Sequence, residues 1–145
     1  MKKTYLLEAY SDAVLSIKRG THNGAYMNAK PLFLLTIISL IDKGMLKLNR
    51  IFYNEVLKNE YHQINEKYLN TKETPLFKPY VFMSAEPFYH ICWKVHQERL
   101  PNDSNNRFVK DNIEYALLDN ALWDILQDNQ QREYIKELII NTYLK

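Results

Sequence analysis

The run Leu32-Phe33-Leu34-Leu35-Thr36-Ile37-Ile38-Ser39-Leu40-Ile41 constrains this chain more than any other stretch, because eight of its ten residues are apolar. A helix built from it has too little polar surface to lie on the outside of a domain, so it is expected to be buried nearly all round. It is also too short to cross a bilayer. Asn28 is placed as an N-cap, Pro31 falls in the first turn where its missing N–H is harmless, and Gly44 is placed to close the helix in a left-handed conformation. The basic, glycine-punctuated stretch Lys18-Arg19-Gly20-Thr21-His22-Asn23-Gly24-Ala25-Tyr26-Met27 precedes this helix. It reads as a loop held rigidly by the buried rod, and therefore as the first place to look for function.

Length and composition fit one domain over residues 1–145, with 46% hydrophobic and 13% aromatic residues to fill a core. A single cysteine, Cys92, excludes an internal disulfide framework and a CxxC zinc site. No secretory leader is recognisable at Met1-Lys2-Lys3-Thr4-Tyr5, so a cytoplasmic location is expected. The net charge of +2 is unevenly shared: residues 1–100 carry 14 Lys and Arg against 9 Asp and Glu, while residues 101–145 carry 5 against 8. The basic larger part is compatible with a polyanionic partner, although composition alone favours an ordinary solvated surface, because the whole domain falls short of the strongly basic balance usual for nucleic-acid binders.

Apolar residues from Thr4 to Ile17 recur at three- and four-residue steps, which predicts an amphipathic helix ending before Gly20. After the central helix, Arg50-Ile51-Phe52-Tyr53 suits a brief strand, and Asn54 is a candidate N-cap for a helix from Glu55 to Leu69. Residues Thr71 to Pro79 read as a connector stopped by two prolines. The runs Tyr80-Val81-Phe82-Met83 and Phe88-Tyr89-His90-Ile91-Cys92-Trp93, separated by Ser84-Ala85-Glu86-Pro87, suggest an antiparallel hairpin. Pro101 to Asn106 reads as a polar surface loop. Ser104 or Asn105 then caps a helix running to Tyr115-Ala116-Leu117-Leu118, Asp119 caps Asn120 to Leu126, and Asp128 with Gln131 opens the last helix. In that last helix Tyr134, Ile135, Leu138, Ile139, Thr142 and Tyr143 share one face. The fold class this implies is α+β: a helix-rich single domain around a buried central helix, with a small antiparallel sheet.

Catalytic motifs are absent: there is no HExxH, P-loop or GxSxG pattern, and His22, His62, His90 and His96 have no metal-site spacing. No metal and no cofactor is implied. Cys92, between aromatic residues on an expected strand, reads as an inert thiol. The aromatic residues point elsewhere. Most of them fill a core, but Lys18, Arg19, Tyr26, Lys30 and Lys78-Pro79-Tyr80 fall on expected loops or element ends, where rings and cations together can grip a nucleic-acid strand.

One resemblance covers nearly the whole chain, from about Ile17 to Leu144. Lys30-Pro31-Leu32-Phe33-Leu34-Leu35, Ile41-Asp42-Lys43-Gly44, Asn49-Arg50-Ile51, Pro79-Tyr80, Phe88-Tyr89-His90-Ile91 and Tyr115-Ala116-Leu117-Leu118-Asp119 occur in order. Together they resemble the DNA sulfur-binding domain that precedes HNH nuclease domains in McrA-like, type IV, modification-dependent restriction endonucleases. The resemblance implies recognition of DNA whose backbone carries a phosphorothioate, with a shallow apolar pocket for sulfur and basic side chains on the phosphates. Sulfur in place of a non-bridging oxygen is larger and less well hydrated, so an apolar surface can favour it. By this likeness Lys18, Arg19, Lys30 and Lys78 would contact DNA, and Tyr26, Pro79, Tyr80 and Phe82 would form the modification pocket. Ala29, Lys78 and Phe82 stand where the family pattern carries His, an aromatic residue and His.

The resulting expectation is a DNA-binding module with no cleavage site of its own. Its partners would be duplex DNA, plain or backbone-modified, together with a separate nuclease subunit and, in one form, a second copy packed through the aromatic hairpin. The alternative is a protein-interaction or assembly subunit that keeps the fold and has lost DNA or sulfur recognition. A third reading, an enzyme in its own right, requires His22, His90 and carboxylates to cluster.

Overall fold

The fold is described from a computed structural model over residues 4–94 and 105–145; His96 and the Pro101 to Ser104 part of the expected surface loop lie outside the described residues. Helix α1 (Tyr5–Leu15) is capped by Thr4, whose Oγ1 accepts the Leu7 N–H at 3.1 Å, and it buries Leu7, Ser11 and Val14. Strands β1 (Thr21–His22) and β2 (Ala25–Tyr26) follow, then the central helix α2 (Ala29–Asp42). Ten residues of α2 between Pro31 and Ile41 are buried, as its near-continuous apolar sequence requires. Its two polar interior residues are satisfied: Thr36 Oγ1 donates to Leu32 O at 2.8 Å, and Ser39 Oγ donates to Glu60 Oε2 at 2.5 Å. Gly44 closes the helix at φ +70°, and the Met45 N–H returns to Leu40 O at 2.9 Å.

Around α2 pack α3 (Glu55–Tyr68), α4 (Phe77–Phe82), α6 (Asn120–Gln127) and α7 (Asn129–Ile139), while α1 lies against α6 and α7. The start of α3 is set by Asn54, whose Oδ1 accepts the Leu57 N–H at 2.9 Å, and that of α7 by Asp128, whose Oδ2 accepts the Gln131 N–H at 2.9 Å. Past Ile139 the final helix widens into one π-type turn, Ile140–Leu144, which buries Tyr143. On the face expected to be buried, Ile135, Ile139 and Tyr143 are covered, whereas Thr142 is exposed.

The described residues hold two small antiparallel sheets, β1–β2 and β3 (Tyr89–Trp93) with β4 (Ile113–Leu118). This agrees with an α+β, helix-rich domain and corrects several local expectations. Lys18 to Met27 is no plain loop: Asn23 (φ 52°) and Gly24 (φ 82°) make a two-residue hairpin turn, and the Met27 N–H closes the ribbon on Gly20 O at 2.8 Å. Tyr80-Val81-Phe82-Met83 is not a strand but the end of α4 and the start of a 3₁₀ turn, Met83–Ala85. Pro79, expected to end a connector, is instead the third residue of α4, where a helix has no use for its N–H. What draws these residues inward is burial. Tyr80 Oη donates to Ile51 O, Tyr89 Oη donates to Tyr80 O, both at 2.6 Å, and both rings meet the edge or face of Phe33.

The strand that does form, β3, pairs with β4, in the register Tyr89 with Leu118 and Ile91 with Ala116, with an irregularity between Cys92 and Trp93. Tyr115 to Leu118 is therefore strand, not helix. Asn105 caps only the seven-residue helix α5 (Asn106–Asn112), accepting the Phe108 N–H at 2.9 Å. Of the expected Arg50 to Tyr53 strand only Ile51 pairs, exchanging backbone bonds of 2.7 and 2.9 Å with Ala116. The aromatic hairpin proposed to bury a homodimer is thus not formed, since Tyr80, Val81, Met83, Phe88 and Tyr89 are all in the core. None of the described helices is long and apolar enough to cross a membrane.

Candidate functional site

The N-terminus of α2 faces a shallow hollow of about 240 Å³ whose lining includes Arg19, Lys30, Lys78, Pro79 and Phe82, together with Met27, Ala29 and Thr74. Three elements deliver these groups. Arg19 comes from the segment between α1 and the hairpin, Lys30 from the first turn of α2, and Lys78, Pro79 and Phe82 from the short helix α4. Pro79 itself is buried, Phe82 is 37% exposed and Lys78 is exposed, so the floor is apolar and the rim cationic.

Arg19 is held in a rigid pose. Its guanidinium lies 4.1 Å from the Tyr26 ring centre and 4.7 Å from that of Tyr143, and Nη1 donates to Asn28 Oδ1 at 2.8 Å. Asn28 Nδ2 in turn donates to Tyr143 O at 3.0 Å, and Tyr143 Oη donates to Val14 O at 2.6 Å. The C-terminal turn therefore clamps the residue at the start of α2. Burial raises the Tyr143 pKa, opposed in part by the Ile17 N–H donated to its hydroxyl and by the positive charge of Arg19. Among the described residues no carboxylate pairs with Arg19, Lys18 or Lys78, so the hollow faces uncompensated charge.

Asn28 occupies the N-cap position of α2, as its place in the sequence suggests, yet its side chain makes no bond to the helix. That side chain is spent on Arg19 and Tyr143, and the N–H groups of Ala29 and Lys30 have no acceptor among the described residues. Free N–H groups at the positive end of a buried helix, beside two or three cations, form an arrangement suited to an oxyanion. Lys30 is the exception within the rim. Its Nζ sits 3.1 Å from Glu86 Oε2, with the lysine side chain 17% and the glutamate side chain 3% exposed. Glu86 Oε1 also accepts the Lys18 N–H at 3.3 Å.

Arg19, Lys30, Lys78, Pro79 and Phe82 thus come together in one hollow, and Tyr26 joins it through the ring that stacks on Arg19. Tyr80 does not: its side chain is fully buried, because residue 80 of the helix points opposite to Phe82 and its hydroxyl is committed to Ile51 O. Lys18 is exposed and tied through its backbone to Glu86, but its side chain is not part of the lining. Glu86 and Tyr143 had no signal in the sequence, the first reading as a turn residue and the second as one more apolar position of the last helix.

A second hollow, of about 420 Å³, opens on the other side of Met27, Ala29 and Thr74, which line both. Elsewhere, His90 Nε2 meets Asp119 Oδ1 at 2.5 Å and Tyr10 Oη donates to Asp119 Oδ2 at 2.8 Å. These bonds occupy the Asp119 side chain, so at the start of α6 it caps with its backbone carbonyl alone, 2.9 Å from the Trp123 N–H. His22 lines the second hollow instead, and among the described residues no group of three His, Cys, Asp or Glu could hold a metal ion. The chain matches no protein-family model and no curated protein sequence.

Proposed function

We propose that this domain binds the sugar-phosphate backbone of DNA and senses its chemical state at the hollow between α2 and α4, as its resemblance to sulfur-binding restriction domains implies. The observation that carries the reading is the convergence of Arg19, Lys30 and Lys78 on a Pro79–Phe82 floor at the N-terminus of α2. The cations and N–H groups supply affinity for any phosphate, which is sequence-independent and salt-dependent. The proline and phenylalanine surface supplies preference, because a phosphorothioate sulfur loses less hydration on such a surface than oxygen does. In this reading the module itself cuts nothing, and cleavage belongs to a separate nuclease subunit or domain.

The test is a mobility-shift comparison of phosphorothioate, methylated and unmodified duplexes at two salt concentrations. The reading expects affinity that falls steeply with salt, with phosphorothioate DNA bound tightest; no affinity for any duplex, or affinity indifferent to salt, overturns it. A second reading, a protein-interaction module, is favoured by one observation: Met45, Leu48, Phe52 and Val56 are all exposed between 43% and 68%.

A further inference from the structure

The second hollow has a feature that calls for a ligand. Asn65, in the last turns of α3, is 5% exposed and lines it. Its Nδ2 donates to Thr71 O at 2.9 Å, which fixes the orientation of the amide, since a backbone carbonyl can only accept. The Oδ1 that remains has no donor among the described residues. A buried carbonyl left without a partner is disfavoured by a few kcal/mol or less, and such groups are nearly always matched by water or a ligand. Tyr26, 63% exposed and with the Arg19 guanidinium 4.1 Å from its ring centre, lines the same hollow. The cavity volume of about 420 Å³ falls within the range of roughly 300–1,000 Å³ usual for small-ligand sites.

A donor-seeking carbonyl deep in a hollow, an accessible aromatic ring at its side and an oxyanion site just across Met27 and Ala29 match the parts of one nucleotide. We propose that the second hollow receives a nucleobase bearing an exocyclic amine while its phosphate rests in the first. The base stacks on Tyr26 and its amine donates to Asn65 Oδ1; the exocyclic amine projects furthest from a base edge and reaches a buried acceptor first. Lys72, on the hollow's outer lip, follows the backbone onward. This inference rests on the reading of the first hollow as a phosphate site. The same chemistry is met by a base extruded from a strand or by a free mononucleotide.

The experiment measures anisotropy of labelled single strands: oligo(dA), the same length built from purine lacking the 6-amino group, and an abasic strand of equal charge. Asn65 is a poor target for substitution because it also clamps Thr71, so the ligand is varied instead. Ala25→Leu, at an exposed position that lines only the second hollow, narrows that space without touching Arg19, Lys30 or Lys78. The proposal expects oligo(dA) to bind about tenfold tighter than the abasic strand at one salt concentration. The strand lacking the amine should fall between them, and Ala25→Leu should erase the advantage while leaving abasic affinity unchanged. Equal binding of the three strands overturns the base site alone. In a parallel arm, AMP is titrated into isotope-labelled protein. Shifts at Tyr26 and Asn65 at concentrations below those needed with oligo(dA) mark the occupant as a free nucleotide, and tighter strand binding marks it as part of a strand. If no strand or duplex binds, the first-hollow reading fails, and the AMP arm decides the second: shifts abolished by Ala25→Leu sustain it, and no shifts overturn it.

Discussion

Lys30 Nζ lies 3.1 Å from Glu86 Oε2, and that carboxylate, 3% exposed, also takes the Lys18 backbone N–H. A buried acid directly behind a cationic rim holds the rim in place and at the same time weakens its field. Glu86→Gln keeps the shape and one acceptor but removes the charge. It should destabilise the fold by about 1–3 kcal/mol, read from urea unfolding, because Lys30 loses its charged partner in a largely buried site. Affinity for plain duplex should nevertheless rise, with the slope of log K against log salt steeper by about 0.9, the increment for one further phosphate contact.

Arg19 is the cation fixed most firmly, between Tyr26 and Tyr143. Arg19→Ala should weaken binding to modified and plain duplexes alike, and make the salt slope shallower by about 0.9, with little loss of stability. Arg19→Lys should recover the slope but not the full affinity, since an ammonium cannot stack flat between two rings while bonding Asn28. Anisotropy titrations over a salt series separate the two variants.

Phe82, exposed at the end of α4, carries selectivity and not grip in this account. Phe82→Ser should lower the ratio of phosphorothioate to plain affinity several-fold while leaving the salt slope unchanged, which paired titrations at one salt concentration and then a salt series would read. The side chain is only partly buried, so unfolding should shift by about 1 kcal/mol or less.

The tyrosines that knit the core predict how the fold responds to alkali. Burial, with the Asp119 carboxylate adding to it, pushes Tyr10 up to about 12, and burial pushes Tyr53 to about 12 as well; Tyr80 and Tyr89 are raised further by the same cause. The unfolded chain releases these protons near pH 10, whereas the native state holds them, so stability is fully present below pH 10 and declines as pH rises toward 12. Unfolding free energy should therefore be level from about pH 8 to 9.5 and fall above 10, in step with phenolate absorbance. Tyr80→Phe removes a buried donor to Ile51 O, costs about 1–2 kcal/mol at neutral pH, and should flatten part of that alkaline decline.

The elements legible in the sequence are those whose signals are local. Periodicity gave α1, α3 and α7, a cap residue fixed the starts of α3 and α7, and the continuous apolar run of α2 declared its burial before any partner was known. Short aromatic runs were not legible in this way. Tyr80 to Met83 and Tyr115 to Leu118 are each four residues long, and whether such a run coils or extends is decided by what covers it: Phe33 and the Ile51 carbonyl for the first, β3 and Ile51 for the second. The same reason explains the site. Arg19, Lys30, Lys78 and Pro79 announced themselves as cations and a chain-breaking proline near expected element ends, whereas Phe82 was marked only by the resemblance. Tyr80 misled because helical geometry, not strand alternation, sets its direction. Glu86 and Tyr143 acquire their roles only through contacts far along the chain, which no neighbouring residue encodes.

The central claim, that the hollow between α2 and α4 grips the DNA backbone, is tested most directly by mapping amide and side-chain chemical shifts of the labelled 17.4 kDa protein as phosphorothioate duplex is added. The account predicts the largest changes at Gly20, Ala29, Lys30, Lys78 and Phe82 and at the Arg19 guanidinium. Changes confined to the exposed Met45, Leu48 and Phe52 surface, or no changes at all, would contradict it.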